Sequence, residues 1–252
     1  MIKFFRQIRQ KMLTENKFSK YLIYAIGEIV LVVTGILIAI QLNNLNEAKK
    51  LDIKTEDLKN RILQEVSANI KVTLKEIELA KEHVKGMTML MQMIGKPIKE
   101  NTQIKFDSLI IYSLKDYELY INLNILNEAK DNGEISLIKN DTLRDVLNNF
   151  IRFENSIQKF IRVANNDNNN YNVPYIYKNT NLRSQFARND ESYRNRIGYS
   201  QLEKNDYDQI LMDREFENLQ SFRLRYAEQM YSEHQELNGF LTYLKEFFDK
   251  EK

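Results

Sequence analysis

The most strongly patterned part of the chain is an apolar run over residues 21–42, YLIYAIGEIVLVVTGILIAIQL. It contains 22 residues, of which only Glu28 is charged. A helix rises about 1.5 Å per residue, so the run would reach roughly 33 Å, enough to cross the ~30 Å hydrocarbon core of a bilayer. The pattern therefore predicts a transmembrane helix.

The rest of the chain carries apolar residues at helical spacing. From residue 46 to Pro97 they advance in steps of three and four or sums of these, and the same spacing returns between about Met212 and Asp249. Two such helices are expected to pack antiparallel, with shorter helices over 105–165 completing a bundle. The predicted fold class is all-α: an N-terminal amphipathic helix and a transmembrane helix continuing into an elongated antiparallel helical bundle with two long helices and several short ones.

Interruptions of this pattern are expected at three places. Gly86 is the predicted kink of the first long helix, and Gly95 to Pro97 end it. The sequence NNDNNNYN, residues 165–172, predicts an Asn-rich surface loop. It does not fit a calcium loop, because Asn172 and Lys178 occupy the positions where that loop needs Gly and Glu.

The composition favours a helical fold and excludes the chemistry of cysteine. Only two of the 252 residues are Pro and seven are Gly, so the signals that bound strands are scarce. There is no cysteine, which excludes disulfides, thiolate metal sites and a cysteine nucleophile. The predicted segments are a cytoplasmic basic amphipathic segment (1–20), a transmembrane helix (21–42) and an extracytoplasmic helical bundle domain (43–252).

The first 20 residues are basic and amphipathic. Six Lys and Arg residues stand against Glu15 alone, which gives a local charge of +5. We expect this segment to lie on the inner leaflet of the bilayer, with Phe5, Arg6 and Arg9 as contacts. The positive-inside rule then predicts a single-pass protein of the inner membrane with a cytoplasmic N-terminus and a periplasmic C-terminal domain. The apolar run is longer than that of a cleaved signal peptide, so it is interpreted as a signal anchor.

Small residues and one carboxyl group share a face of the predicted span. Gly27, Gly35 and Ala39 would let a second helix approach closely, and Glu28 lies about 10 Å along the helix from its start. A charge near the middle of a membrane costs on the order of 3 kcal/mol, so Glu28 needs a partner or a proton. Self-association is one interpretation, and a protonated or snorkelling glutamate in a lone anchor is the other. A proton pathway is less favoured, since a single span cannot enclose a channel.

Few residues are candidates for chemistry. If the ends of the long helices are level, the only two histidines, His83 and His234, lie about 20 Å apart. Ala80 and Tyr231 precede them by three positions, where a di-iron bundle needs Glu. The motifs of zinc proteases, serine hydrolases, P-loops and dinucleotide-binding folds do not occur. We therefore assign no catalytic, metal or cofactor-binding residue, and expect a protein that is not an enzyme.

A cluster of arginines and tyrosines falls between Arg183 and Tyr199. Such a cluster can bind single-stranded nucleic acid. Here Asp190, Glu191 and Glu203 interrupt it, and the domain is expected to lie outside the cytoplasm. It is therefore interpreted as a solvated face, with no nucleic acid as partner.

The N-terminal sequence MIKFFRQIRQKMLTENKFSKYLIYAIGEIVLVVTGILIAIQLNNLNE resembles the signature of a family of small single-pass membrane proteins of unknown function in Gram-negative bacteria. The resemblance covers residues 1–47 closely, and NGEISLIKNDTLRDVLNNF, residues 132–150, resembles a second, looser block. Leu45 departs from the Trp expected after the paired Asn. The resemblance implies an anchored helical extracytoplasmic domain and supplies no activity, ligand or functional residue.

These observations predict a membrane-anchored, non-enzymatic helical interaction or assembly module of the cell envelope. Its expected partners are the lipid bilayer and either a second copy of the chain or another membrane protein. Gly27, Glu28, Gly35 and Ala39 are the candidate association residues. A periplasmic sensory bundle that signals through a partner is the alternative, because small helix shifts can carry a ligand signal across a membrane. A hydrolase with paired carboxylates buried in the bundle is a third hypothesis.

Overall fold

The computed structural model describes residues 18–98, 102–202 and 206–250, and within these ranges the chain forms helices and no strand. The helices, in chain order, are α1 (Phe18–Met91), α2 (Gln103–Leu114), α3 (Asn124–Asp131), α4 (Asp141–Asp167), α5 (Val173–Asn179), α6 (Leu182–Asn189), α7 (Glu191–Ile197), α8 (Tyr207–Leu211) and α9 (Arg214–Lys250). A short 3₁₀ turn, Glu134–Leu137, follows α3, and a π-helical segment, Asn168–Asn172, joins α4 to α5. The all-α prediction is confirmed.

The chain divides into two compact units, Met1–Leu58 and Lys59–Lys252. In the first unit, the part of α1 that begins at Leu22 holds a window of mean hydropathy 2.5 in which no residue is buried. By length and composition, this is the one helix among the described residues that could cross a membrane. The predicted inner-leaflet contacts Phe5, Arg6 and Arg9 lie outside the described residues.

In the second unit, α1 and α9 pack antiparallel, as the periodicity predicts. Just beyond the end of α1, the Gly95 amide donates to the Leu211 carbonyl oxygen (2.9 Å), which lies just before α9. Much further along α9, the Asn238 side chain donates to the Ile70 carbonyl oxygen (3.1 Å) and to the Thr73 hydroxyl (2.6 Å). Residues near the end of α1 thus lie opposite the start of α9, and earlier residues of α1 lie opposite later residues of α9.

The core of this unit is formed by the apolar stripes of its helices. Its fully buried side chains include Ile62, Met87, Leu90, Phe106, Ile110, Leu147, Phe150, Phe216, Leu237, Leu241 and Leu244. They come from α1, α2, α4 and α9, so each of these helices places one face in the same interior. Helix α1 ends at Met91, four residues before the predicted break that begins at Gly95, and α9 ends at Lys250, one residue beyond the predicted Asp249.

Gly86 permits a close approach between α1 and α2. The α1 helix runs through this position to Met91 without interruption, where the sequence predicted a kink. A Cβ atom at residue 86 would lie 2.7 Å from the ring of Tyr112. The glycine is therefore explained by the ring that packs on it.

An ion pair buried between short helices alters the interpretation of the arginine cluster. Arg188 on α6 contacts Asp107 on α2, with 2.6 Å between Nη1 and Oδ2, and the Tyr207 hydroxyl donates to the same carboxylate oxygen (2.9 Å). Asp107 is fully buried, and burial raises its pKa. The solvated-face interpretation is therefore wrong for Arg188, because this side chain compensates a buried charge that lies 81 residues earlier in the sequence.

Substitution of Gly86 by alanine is expected to destabilise the chain by about 1 to 3 kcal/mol, because the added methyl group must displace the Tyr112 ring. The matched control is Gly239→Ala in α9, where an added Cβ meets no atom within 4 Å. That change should stabilise by about 0.5 to 1 kcal/mol, the usual preference of a helix for alanine. Denaturant titrations of the full chain in mild detergent, followed by circular dichroism, measure both. Equal effects of the two substitutions would contradict the close approach.

Candidate functional site

The most unusual part of the bundle is the α2–α3 linker, residues 115–123, which has no regular secondary structure. Backbone N–H and C=O groups that lack helical partners must find others when they are buried. In this linker, and in the last turn of α2, those partners are side chains of α1, α4, the π-helical segment and α9. They form a single polar network, which is the candidate site.

Arg223 on α9 is the largest member of the network and is only 1% exposed. Its Nε donates to the Ser113 carbonyl oxygen (3.0 Å), and its Nη2 donates to the carbonyl oxygen of Lys115. Its guanidinium also lies over the ring of Tyr117, 5.0 Å from the ring centre. The carbonyl groups at the end of α2 have no helical donors, and a cation at this end of a helix is favourable, so Arg223 serves as the C-terminal cap of α2.

Two asparagines each hold one linker residue by both of its backbone groups. Asn165 on α4 accepts from the Tyr117 amide (2.8 Å) and donates to the Tyr117 carbonyl oxygen (2.8 Å). Asn69 on α1 binds Asn122 in the same way, at 2.9 and 2.6 Å. A side-chain amide has one acceptor and two donors, so it can reproduce the pair of bonds that a neighbouring strand would make. The two ends of the linker are therefore fixed to different helices.

Glu65 on α1 supplies the N-terminal cap of α3. Its two carboxylate oxygens accept from the amides of Ile125 (2.9 Å) and Leu126 (3.1 Å). Leu123, at the N-cap position of α3, cannot accept a hydrogen bond with its side chain. A carboxylate at a helix N-terminus is also favoured by the helix dipole. The cap therefore comes from a residue that lies far away in the sequence.

The Asn-rich stretch 165–172 is part of this network, and the surface-loop prediction is wrong for it. Helix α4 continues through Asp167 into the π-helical segment, where Asn168 and Asn172 are buried. Asn172 donates to the Ser113 carbonyl oxygen (2.9 Å) and accepts from Gln220 of α9 (2.8 Å). The wider π turn changes which side chains face the interior, and turns of this kind often occur at functional positions.

The two histidines line one cavity. The prediction from sequence, which assumed level ends of the long helices, placed them about 20 Å apart. The cavity has a volume of about 40 Å³, and its walls include His83, Tyr117, Met230 and His234. The bonds of Asn238 to α1 shift α9 by about one turn from level ends, which brings His234 closer to His83. The cavity also extends over about two turns of each helix, so it reaches both imidazoles.

Both imidazoles are held in the neutral form. His83 Nε2 donates to the Tyr112 carbonyl oxygen (2.9 Å), and its ring stacks on Tyr117 with 5.5 Å between centres. His234 Nδ1 is buried and has no hydrogen-bond partner within the part of the chain that the structure describes. Burial, followed by the positive charge of Lys115, lowers the pKa of each histidine to about 4. Arg223 contributes further to the lowering at His83.

The same environment acts on the other titratable groups of the network. Burial raises the pKa of Tyr117 to about 12, which keeps its hydroxyl protonated. Burial lowers the pKa of Arg223, while the charges of Asp116 and Asp167 oppose this change. Asp116 is in turn hydrogen-bonded by the Asn168 side chain at 2.8 Å. The cavity therefore lies beside permanent cations, and its own imidazoles are uncharged at neutral pH.

The association residues predicted from sequence belong to the first unit, away from this network in the sequence. Gly27 and Gly35 are exposed, and a Cβ atom at either position would meet nothing within 4 Å. Ala39 is exposed as well. Glu28 is partly buried and has an interaction partner within the chain. The network residues could not be predicted as a site, because hydrogen bonds between asparagines and distant backbone groups leave no periodic signal in the sequence.

Replacement of Arg223 by methionine should destabilise the bundle by about 3 kcal/mol, because the Lys115 carbonyl oxygen loses its donor and the Ser113 carbonyl oxygen keeps only Asn172. Arg223→Lys should cost less, since it retains the charge and loses the fork of donors. Arg225→Met on the same helix is the control: Arg225 is 74% exposed and contacts only Glu228 nearby. It should change stability by less than about 0.5 kcal/mol.

Denaturant titration of the full chain in detergent provides the measurement for these three variants. A cost at Arg223 no larger than at Arg225 would show that the carbonyl groups do not depend on the guanidinium.

Comparison with known proteins gives no relative from which a role could be transferred: no family model, curated protein or solved structure matches the chain. Among the described residues, no group of three or more His, Asp and Glu side chains is placed to hold a metal ion. The two buried carboxylates there are Glu65, which caps α3, and Asp107, which pairs with Arg188. Neither arrangement resembles the carboxylate pair of a hydrolase.

Proposed function

We propose that the chain is a membrane-anchored, non-enzymatic interaction and assembly module of the cell envelope. The observation that carries this proposal is the unburied apolar window of α1, with mean hydropathy 2.5. Exposing so many apolar side chains to water would be costly, and a bilayer removes that cost. The helical bundle of the second unit then acts as the part that other envelope components contact.

The proposed location is the inner membrane, crossed once, with the N-terminus in the cytoplasm and the bundle in the periplasm. The local charge of +5 over residues 1–20 supports this orientation. Phe5, Arg6 and Arg9 are proposed to contact the inner leaflet. The family resemblance of residues 1–47 agrees with this arrangement. The bilayer is the first partner, and we propose no nucleic acid as a partner.

The span is proposed to associate with a second copy of the chain or with another membrane protein. Gly27, Glu28, Gly35 and Ala39 lie within about 120° of one another around the helix. The space beside Gly27 and Gly35 is open within the chain, so another helix backbone could approach there. Glu28 would then meet polar groups of the neighbouring helix in addition to its present partner.

A sensory module that signals through a partner is the second candidate, and one feature favours it. An open cleft of about 680 Å³ lies between α2 and the α5–α6 region, with Tyr177, Leu182 and Phe186 on one side and Ile111 on the other. Its size is that of a small-molecule site, and apolar side chains predominate in such sites. A small molecule that raises the melting temperature of the full chain in detergent would favour this candidate.

Self-association predicts that Gly35→Leu weakens dimer or oligomer formation, because the larger side chain separates the helix backbones. Val33→Leu is the matched control, since Val33 lies on the opposite side of the helix. Glu28→Gln should change the oligomer distribution less than Gly35→Leu, because it keeps the size and a polar group.

Crosslinking in membranes and native mass spectrometry in detergent give the oligomer distribution of each variant. If the wild-type chain and Glu28→Gln are both monomeric at all concentrations tested, the self-association part of the proposal is wrong and the anchor functions alone.

A further inference from the structure

The cavity between α1, α9 and the α2–α3 linker contains both histidines of the chain and one unused hydrogen-bonding group. His83 and His234 are 3% and 4% exposed. His234 Nδ1 faces no donor or acceptor among the described residues. An unpaired buried nitrogen costs free energy, and a protein that needed only packing here could use an apolar side chain. Two titratable side chains on one small cavity call for an explanation beyond packing.

We propose that this cavity is a pH-responsive element: protonation of His83 and His234 in mildly acidic solution opens the α2–α3 linker away from α1 and α9. The inference goes beyond the proposed assembly role, because it assigns a signal to the bundle and a segment that responds to it. The responding segment is residues 115–123.

The charges around the cavity oppose protonation in the closed form. Lys115 of the linker acts on both histidines, and Arg223 of α9 acts on His83. Arg223 already lies over the ring of Tyr117, on which His83 stacks. A His83 imidazolium would therefore add a buried positive charge near the buried Arg223 and the exposed Lys115, and a His234 imidazolium would add one near Lys115. Opening the linker moves Lys115 away and admits water to both rings.

Acidic and phenolic groups also face the cavity and must be considered. Glu76 contributes from α1, and Asp116, Glu118 and Tyr120 contribute from the linker. Asp116 and Glu118 are exposed, as is Lys115, so water screens the charges of all three, and the exposed Tyr120 hydroxyl carries no charge at neutral pH. The remaining α9 residues on the wall, Ala227 and Met230, do not titrate. The carboxylates therefore moderate the repulsion from Lys115, and they would stabilise the charged imidazoles once water enters.

The direction of the pH effect follows from the lowered pKa of both histidines, about 4 in the closed form against an ordinary value of 6.5. Above pH 6.5 both histidines are neutral in either form, and the closed form has its full stability. That stability is lost as the pH falls from 6.5 towards 4, because the open form binds protons more tightly. Between pH 7.5 and pH 5, the equilibrium constant for opening should rise roughly 30-fold for each histidine. The two histidines together should raise the equilibrium constant for opening roughly a thousandfold.

The linker is suited to open because it is held by hydrogen bonds and contributes few apolar side chains to the core. Tyr117 and Leu123 are its buried apolar residues, whereas Tyr120 is 58% exposed. Its bonds to Asn165, Asn69 and Arg223 can be exchanged for bonds to water. Local opening of such a segment costs less than unfolding of the packed helices.

A single introduced thiol can report the opening, because the chain has no cysteine of its own. Ala227 lines the cavity and is 1% exposed. The rate at which a maleimide labels Ala227→Cys in the full chain in detergent should rise by two to three orders of magnitude between pH 7.5 and 5, after correction for thiol reactivity. Ser221→Cys, exposed on the same helix, gives that correction. Adding His83→Gln and His234→Gln should reduce the rise to a few-fold.

Two results would overturn the proposal: no corrected increase in the Ala227→Cys chain, or an increase of the same size after both histidines are replaced. The second result would assign the pH response to carboxylates. Should the double replacement prevent folding, NMR titration of the histidines in the unmodified chain decides. Imidazoles of the folded chain that titrate near pH 6.5 with the linker closed would contradict the inference, whereas titration near pH 4 agrees with it.

Discussion

The bundle depends on the way Arg223 binds the end of α2. A helix that stops inside a protein leaves carbonyl groups without donors, and the chain must then cross to the next helix without burying unpaired backbone. Arg223 meets this need with donors to the carbonyl oxygens of Ser113 and Lys115 and with a charge placed over the Tyr117 ring. The cost of burying the guanidinium is offset by these contacts, by the dipole of α2 and by the charges of Asp116 and Asp167.

The remaining polar groups extend that arrangement along the linker. Asn165 and Asn69 hold one residue near each end, and Glu65 starts the next helix. Asn69 and Glu65 belong to α1, and Asn165 belongs to α4. The position of the linker therefore depends on how α1 and α4 are placed relative to each other. A change in the cavity beside the linker can therefore reach the helices through defined hydrogen bonds.

Sequence periodicity predicted the long helices because burial of one helical face repeats every three or four residues, as at Ile62 and Leu241. The polar network could not be predicted in the same way. Asparagine is typical of loops. Only the fold shows that the side-chain amides of Asn168 and Asn172 donate to carbonyl oxygens at the end of α2. The relative shift of α1 and α9, which brings both histidines to one cavity, is set by contacts such as Asn238 with Thr73. Such contacts leave no pattern in either helix alone.

An apolar span is proposed to anchor a helical bundle in the periplasm. The most direct measurement attaches a reporter after Lys252, in one fusion active only in the periplasm and in a second active only in the cytoplasm. A periplasmic bundle would give activity of the periplasmic reporter alone, together with recovery of the chain in the membrane fraction. Activity of the cytoplasmic reporter alone would contradict the proposed orientation. It would place the bundle among cytosolic partners and make Arg183, Arg194 and Arg196 a surface to test for binding.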